Sequence, residues 1–317
     1  MIDNTRTENI KGRGLSWVRV FLAGILIYFL SLVIMIFTGN SNLFPTVVMI
    51  GNFLIPVTFV SFFYEHRHLS KLTLPTTALT FFYGGLLGVL ASSLLEPIFI
   101  QQLTPFTFLL VGMIEESAKI LGVLVIARRM RHTSEMDGLI LGAAAGMGFA
   151  ALESMGYVFN AFVMSGGSLT ATVMVTLVRG ILSPLGHGTW TAILASVLFR
   201  ESGKEHFRIN GKVILAFFTV AILHGLWDGL PGVVAAVFSP GVDVFIAQSL
   251  VGGASLLLLY IRWREARRLQ IQQLMAEEEA LRIETIAMPV ESQLDEPVDE
   301  TLYDFVDEPD EPLHVEN

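Results

Sequence analysis

Residues 105–127 read PFTFLLVGMIEESAKILGVLVIA, an apolar run interrupted at its middle by Glu115, Glu116 and Lys119. A transmembrane helix needs about 20 apolar residues, and each ionisable group near its centre costs about 2.5–3.5 kcal/mol on insertion scales. Three such groups in one span point to a helix whose charged face turns inward onto other helices. At about 100° per residue, Lys119 falls between the two acids, about 40° from Glu115 and about 60° from Glu116, so it can pair with either. A buried salt bridge that merely locks helix packing is the plainer alternative.

The rest of the chain agrees with a membrane setting. Of 317 residues, 53% are hydrophobic and 15% charged, where a soluble domain carries about a quarter charged residues. Mean hydropathy is +0.62. The expected fold is an all-α, polytopic membrane helix bundle of about eight transmembrane helices with a disordered acidic C-terminal tail. The absence of cysteine excludes disulfides, thiol nucleophiles and Cys-ligated zinc, which leaves hydroxyls, imidazoles and carboxylates for chemistry. The net charge of −9 averages two regions: residues 271–317 hold 15 acids and one base, residues 1–270 hold 14 acids and 19 bases. No nucleic-acid partner is expected.

Spans are expected at about 17–37, 43–64, 76–95, 105–127, 138–163, 169–199, 213–238 and 242–263. The first lacks an Ala-x-Ala-like end, which favours a retained helix over a cleaved signal. The sixth is over-long and contains Pro184, which predicts a kink. Lys11 and Arg13 precede the first span, and Arg or Lys recur in every second connection: Arg67 and Lys71, then Arg128, Arg129 and Arg131, then Arg200, Lys204, Arg208 and Lys212. Arg262, Arg264, Arg267 and Arg268 close the last span, while the alternate connections carry none. By the positive-inside rule both termini are cytoplasmic. The domains are then a cytoplasmic segment at 1–16, a membrane domain at 17–264, and a helical extension with the acidic tail at 265–317. In that tail the Asp/Glu-Pro steps cannot build a core, although it could recruit a soluble partner.

Polar residues recur inside the later spans. The fifth runs from Asp137-Gly138 through Gly142, Gly146 and Gly148 to Glu153, and glycines four apart make a smooth stripe for a close neighbour. The stripe alone is explained by packing, whereas the buried carboxylate is not. The sixth carries Arg179, a counter-ion for surplus carboxylates, and His187 between two glycines. The seventh carries His224 and Asp228, whose spacing of four puts imidazole and carboxylate on one face. Interhelical hydrogen bonding alone would account for any one of these residues. Counted from the span ends, Glu115, Glu116, Lys119, His187 and His224 fall near the middle and Glu153, Asp228 and Arg179 somewhat toward the outer side, so one cluster at the midplane or slightly outside it, between the fourth, fifth, sixth and seventh spans, is expected.

Taken in order, Glu115-Glu116-x-x-Lys119, Asp137-Gly138, Gly148-Phe149-Ala150-x-x-Glu153, His187 and His224-x-x-x-Asp228 resemble the motifs of the PrsW family of intramembrane proteases. That family is similar to the wider superfamily of CAAX-prenyl endopeptidases and bacteriocin-immunity-type membrane proteins. The resemblance covers about residues 105–240 and implies cleavage of a membrane-anchored protein in the lipid bilayer, an anti-sigma factor in the best-known branch. It implies a bacterial cell-membrane location. It assigns Glu115 to water activation with Glu116 in support, and His224 to the scissile carbonyl or the water. The prenyl-protease branch has His in place of Glu153 and Asn in place of Asp228, and Asp228 can donate to an oxyanion only when protonated.

The chemistry also stands apart from the resemblance, since a carboxylate base and an imidazole supply what peptide hydrolysis needs. No His-Glu-x-x-His, Gly-x-Ser-Gly or Gly-x-Gly-Asp motif is present. Glu115, Glu116, Glu153 and Asp228 against Lys119 and Arg179 leave two surplus negative charges if every acid is ionised. Protons, charged imidazoles or a divalent cation must offset them. One arrangement is a zinc site of Glu153, His187 and His224, with Glu115 as the base for water. The other keeps two carboxyls protonated and lets Glu115 act with His224 alone. The competing class is a proton- or ion-coupled transporter, which also uses midplane carboxylates.

Overall fold

A computed structural model describes residues 16–67, 70, 72–128, 134–202, 206–239 and 241–287. The expected cytoplasmic segment before Ser16, the acidic tail after Ala287, and Lys11, Arg13, Lys71, Arg129, Arg131 and Lys204 lie outside the described residues. Those that are described form helices and no strand: α1 (Ser16–Thr38), α2 (Phe44–Glu65), α3 (Leu74–Leu79), α4 (Gly85–Phe99), α5 (Pro105–Ala127), α6 (Glu135–Met164), α7 (Leu169–Leu182), α8 (His187–Glu201), α9 (Gly211–Val234) and α10 (Val242–Ala287). Among them, seven helical segments are long and apolar enough to cross a membrane, with α3–α4 and α7–α8 each counting as one. The remaining expected span is α5, which has the length at 23 residues and carries the three central ionisable side chains. The chain divides into two units between Gln270 and Ile271, where the sequence reading ended the membrane domain at residue 264. The described part of the second unit is helix, with Ile271, Met275 and Leu281 exposed.

Helix ends follow local capping chemistry. Thr104 and Thr107 form a reciprocal capping box at the start of α5, and Ser134 accepts from the Asp137 amide at the start of α6, whose first turn also carries Glu135 and Asp137. Acids there oppose the positive end of the helix dipole. Asn210 accepts from the amides of Lys212 and Val213 at the start of α9.

The hub of the bundle is α6, buried without interruption from Glu135 to Ala151. Its glycine stripe sets the register with antiparallel α8: a Cβ at Gly138 would strike Ala195 O, one at Gly142 would strike Thr191 O, and one at Gly146 would strike His187 O. Steps of four along α6 thus meet steps of four back along α8, and backbones touch where side chains would hold them apart. On its other side, Gly148 meets Phe81 O in the π-turn Thr80–Gly84 that joins α3 to α4. Gly142→Val should force α6 and α8 apart and cost about 1–3 kcal/mol or more, as overpacking does. A fall in the melting temperature of the protein in detergent would register it, and an unchanged value would dissociate the stripe from stability.

The over-long sixth span is broken where Pro184 predicts. Helix α7 ends at Leu182, Ser183–Leu185 form a 3-10 turn, and α8 restarts at His187. Pro184 has no N–H to donate, so the ladder cannot pass through it. Gly186 N donates to Ser183 O at 3.3 Å and Trp190 N to Gly186 O at 3.0 Å. His187 therefore occupies the first turn of α8, against Gly146 of α6.

Candidate functional site

Five helices, α5 to α9, bring their ionisable side chains to one place. On α5, Lys119 Nζ lies 2.7 Å from Glu116 Oε1 and 3.1 Å from Glu115 Oε2, as an ammonium positioned between two acids on one helix face must. The same Nζ is 2.8 Å from His187 Nδ1 at the start of α8, and the Phe149 ring of α6 covers it with the centroid 4.2 Å away. Such a cation over an aromatic face is stabilised further when desolvated. Thr191 Oγ1 donates to Glu116 Oε2 at 3.0 Å, so both oxygens of Glu116 are engaged.

Each imidazole is held on one nitrogen by a carboxylate. His187 Nε2 is 3.1 Å from Glu153 Oε2, which Arg179 Nη2 in turn holds at 2.7 Å, while Arg179 Nε donates to Ser154 Oγ at 3.0 Å. His224 Nδ1 is 3.2 Å from Glu116 Oε1. Trp190 stacks on the His224 ring at 4.6 Å and is fixed by donating Nε1–H to Ser255 Oγ at 2.8 Å. The remaining nitrogens, His187 Nδ1 and His224 Nε2, both face Glu115 Oε2 at 3.6 Å. That oxygen is buried and receives no well-directed hydrogen bond, although the Lys119 ammonium is near it. Asp228 Oδ2 lies 3.5 Å from His224 Nε2.

The set whose ligand atoms all lie within 4.8 Å of one another is Glu115, His187 and His224. The sequence reading paired Glu153 with the two histidines as metal ligands; here Glu153 backs His187 and pairs with Arg179, and Glu115 faces both imidazoles. Glu115 and His224 share α5 and α9 neighbours because Gly112 of α5 seats against Ala221 O and Gly225 of α9 against Leu109. Helix-to-helix rotation of this kind decides which carboxylate meets the rings.

A fifth carboxylate joins the cluster unannounced by any motif. Glu96 of α4 lies close enough to Glu115, Glu153 and His224 to interact electrostatically with them. The sequence signal was present but slight, an acid beside Pro97 at a span end that reads as loop. With Glu96 the acids number five against Lys119 and Arg179, so the demand for protons or a cation grows.

Exposure divides the cluster into floor and rim. The side chains of Glu116, Lys119 and His224 are 0–1% exposed, whereas Glu153 and Arg179 reach 21% and 27% and Asp228 32%. Beside the rim, a cavity of about 200 Å³ reaches His187 and Arg179 from between α7 and α10.

The family model described as "PrsW family intramembrane metalloprotease" matches residues 73–258. The chain is similar to Protease PrsW of Halalkalibacterium halodurans, 27% identical over 174 residues that cover 53% of this chain and 76% of that protein. It is also similar to Protease PrsW of Clostridioides difficile, 24% identical over 131 residues that cover 40% of this chain and 52% of the relative, so only about half of that protein is spanned. No solved structure gives a significant match.

Proposed function

Because the chain belongs to the PrsW family of intramembrane metalloproteases, and so is a membrane protease, we propose that it hydrolyses a peptide bond of a membrane-anchored protein at the cluster centred on Glu115. An anti-sigma-factor-like protein is the substrate class that the motif resemblance suggests. Kinship with the CAAX-prenyl endopeptidase superfamily is part of the same proposal and rests on motif order alone. Neither the fold nor the comparisons favour the transporter alternative.

The observation that carries the reading is the double pairing of the imidazoles, each backed by a carboxylate and each turning its other nitrogen to Glu115 Oε2. Two histidines and one carboxylate are the donor set of catalytic zinc sites, carboxylate backing is how metal-ligating imidazoles are oriented, and the buried Glu115 Oε2, which receives no well-directed hydrogen bond, suits a cation. Glu115, His187 and His224 would hold a divalent metal, with Glu153 and Glu116 fixing the rings. Bound there, such an ion would polarise the scissile carbonyl and acidify water. Arg179 holds Glu153 in place, Thr191 and Lys119 hold Glu116, and Asp228 at the rim faces the reacting groups beside His224.

A second reading has its own observation. Lys119 Nζ already sets a cation between His187 Nδ1, Glu115 Oε2 and Glu116 Oε1. In that arrangement Glu115 takes the proton from water unaided and His224 donates toward the oxyanion.

The function is tested by comparing the membrane proteomes of cells making the wild type and Glu115→Gln. Fragments of a single-span protein that appear only with the wild type are expected; identical proteomes would overturn the proposal. We further propose that both termini are cytoplasmic, from the alternation of Arg and Lys among connections. A reporter fused after Gly166 should then read outside and one after Lys204 inside, and the reverse readout would invert the topology.

A further inference from the structure

We infer that the cavity between α7 and α10 receives the side chain of the substrate residue flanking the scissile peptide, while Gln248 hydrogen-bonds the adjacent peptide unit. The inference rests on the protease reading above. The cavity's lining includes two pairs of residues four apart, hence on one helix face each: Val178 and Leu182 on α7, Val244 and Gln248 on α10; His187, Trp227 and the rim guanidinium of Arg179 line it too. The cavity holds about 200 Å³, and its wall residues Val178 and Val244 are 49% and 39% exposed, so it is open to the surroundings and ends at an imidazole of the cluster.

Gln248 supplies the second argument. It lies within the candidate span Val242–Ile283, about 9 Å along the helix from its start, and its amide has no hydrogen-bond partner among the described residues. Polar groups at such depth are costly and point to function. A substrate helix must unwind for its peptide bond to be attacked, and each backbone N–H and C=O so released has no partner in lipid. A primary amide carries both a donor and an acceptor, which matches the two groups of one peptide unit. Val178, Leu182 and Val244 favour an apolar side chain of medium size such as Leu, beside the polar Ser154, Arg179 and Ser183 that share the lining.

The test uses the full chain in proteoliposomes and a single-span substrate series with Gly, Ala, Leu or Trp next to the mapped cleavage site. Val178→Phe should lower the Leu-to-Ala ratio of kcat/KM by about tenfold or more, and Val244→Ala should raise acceptance of Trp by a similar factor, since a methylene in an apolar pocket is worth about 10- to 200-fold. Gln248→Leu should lower kcat/KM by about tenfold on the amide substrate, with no further loss when the flanking peptide unit is replaced by an ester, because the N–H contact that the ester lacks is already absent from the variant. Wild-type ratios in both wall variants, or additive losses in the ester pair, overturn the inference while leaving the protease reading intact. A wild type that cleaves no member of the series overturns both.

Discussion

Glu115→Gln is expected to abolish cleavage, lowering kcat by about 10²–10⁴-fold, the range that a positioned proton-transfer group contributes. The substitution keeps the side chain's size and removes the negative oxygen that both imidazoles face at 3.6 Å. Whether that oxygen binds a cation or takes a proton from water, the amide can do neither, so the effect is common to both mechanistic readings. Glu116→Gln and His224→Ala should be inactive as well, because His224 Nδ1 rests on Glu116 Oε1 at 3.2 Å and loses its orientation without it. Each variant should still insert, since helix formation and span hydropathy are untouched. Membrane fractionation followed by cleavage of a tagged single-span substrate measures both properties; full activity in all three variants would return the cluster to a packing role.

Removal of metal is the second large effect. Protein purified under chelation should lose turnover to background, and zinc, manganese or cobalt should restore it. Glu153→Gln should weaken metal affinity by about 10–100-fold rather than eliminate it, the usual penalty for a carboxylate that orients a ligating imidazole. This graded loss distinguishes a backing role for Glu153 from the ligand role that the sequence suggested, where the loss would match that of His187→Ala. Undiminished turnover of demonstrably metal-free protein would remove the metal and leave Glu115, His224 and the Lys119 cation as the machinery.

Lys119 has a place in both outcomes. It is fully buried and contacts both acids of its own helix and an imidazole of another. Leaving two buried carboxylates without it would cost far more than an exposed pair is worth. Spacings of three and four residues on one helix put it within reach of both acids, but only the approach of α8, permitted by the glycines of α6, adds His187.

What the sequence by itself determined is whatever depends on residues close along the chain. Run lengths of apolar residues marked the spans, Pro184 marked the break before His187, and the Glu115-Glu116-x-x-Lys119 and His224-x-x-x-Asp228 spacings put their groups on single helix faces. The glycine stripe announced a close neighbour for α6 without naming it. The tertiary structure alone decided the pairings across helices: α8 as that neighbour, Glu115 rather than Glu153 facing His187 Nδ1 and His224 Nε2, Glu96 from α4 near Glu115, and Gln248 beside the cavity. These depend on the rotation and depth of six helices, α4, α5, α6, α8, α9 and α10, relative to one another. A few ångströms or a fraction of a turn exchanges one carboxylate for the next, and that rotation is set by which backbone each of Gly112, Gly138, Gly142, Gly146 and Gly225 touches, a partner choice that no periodicity within a single span encodes.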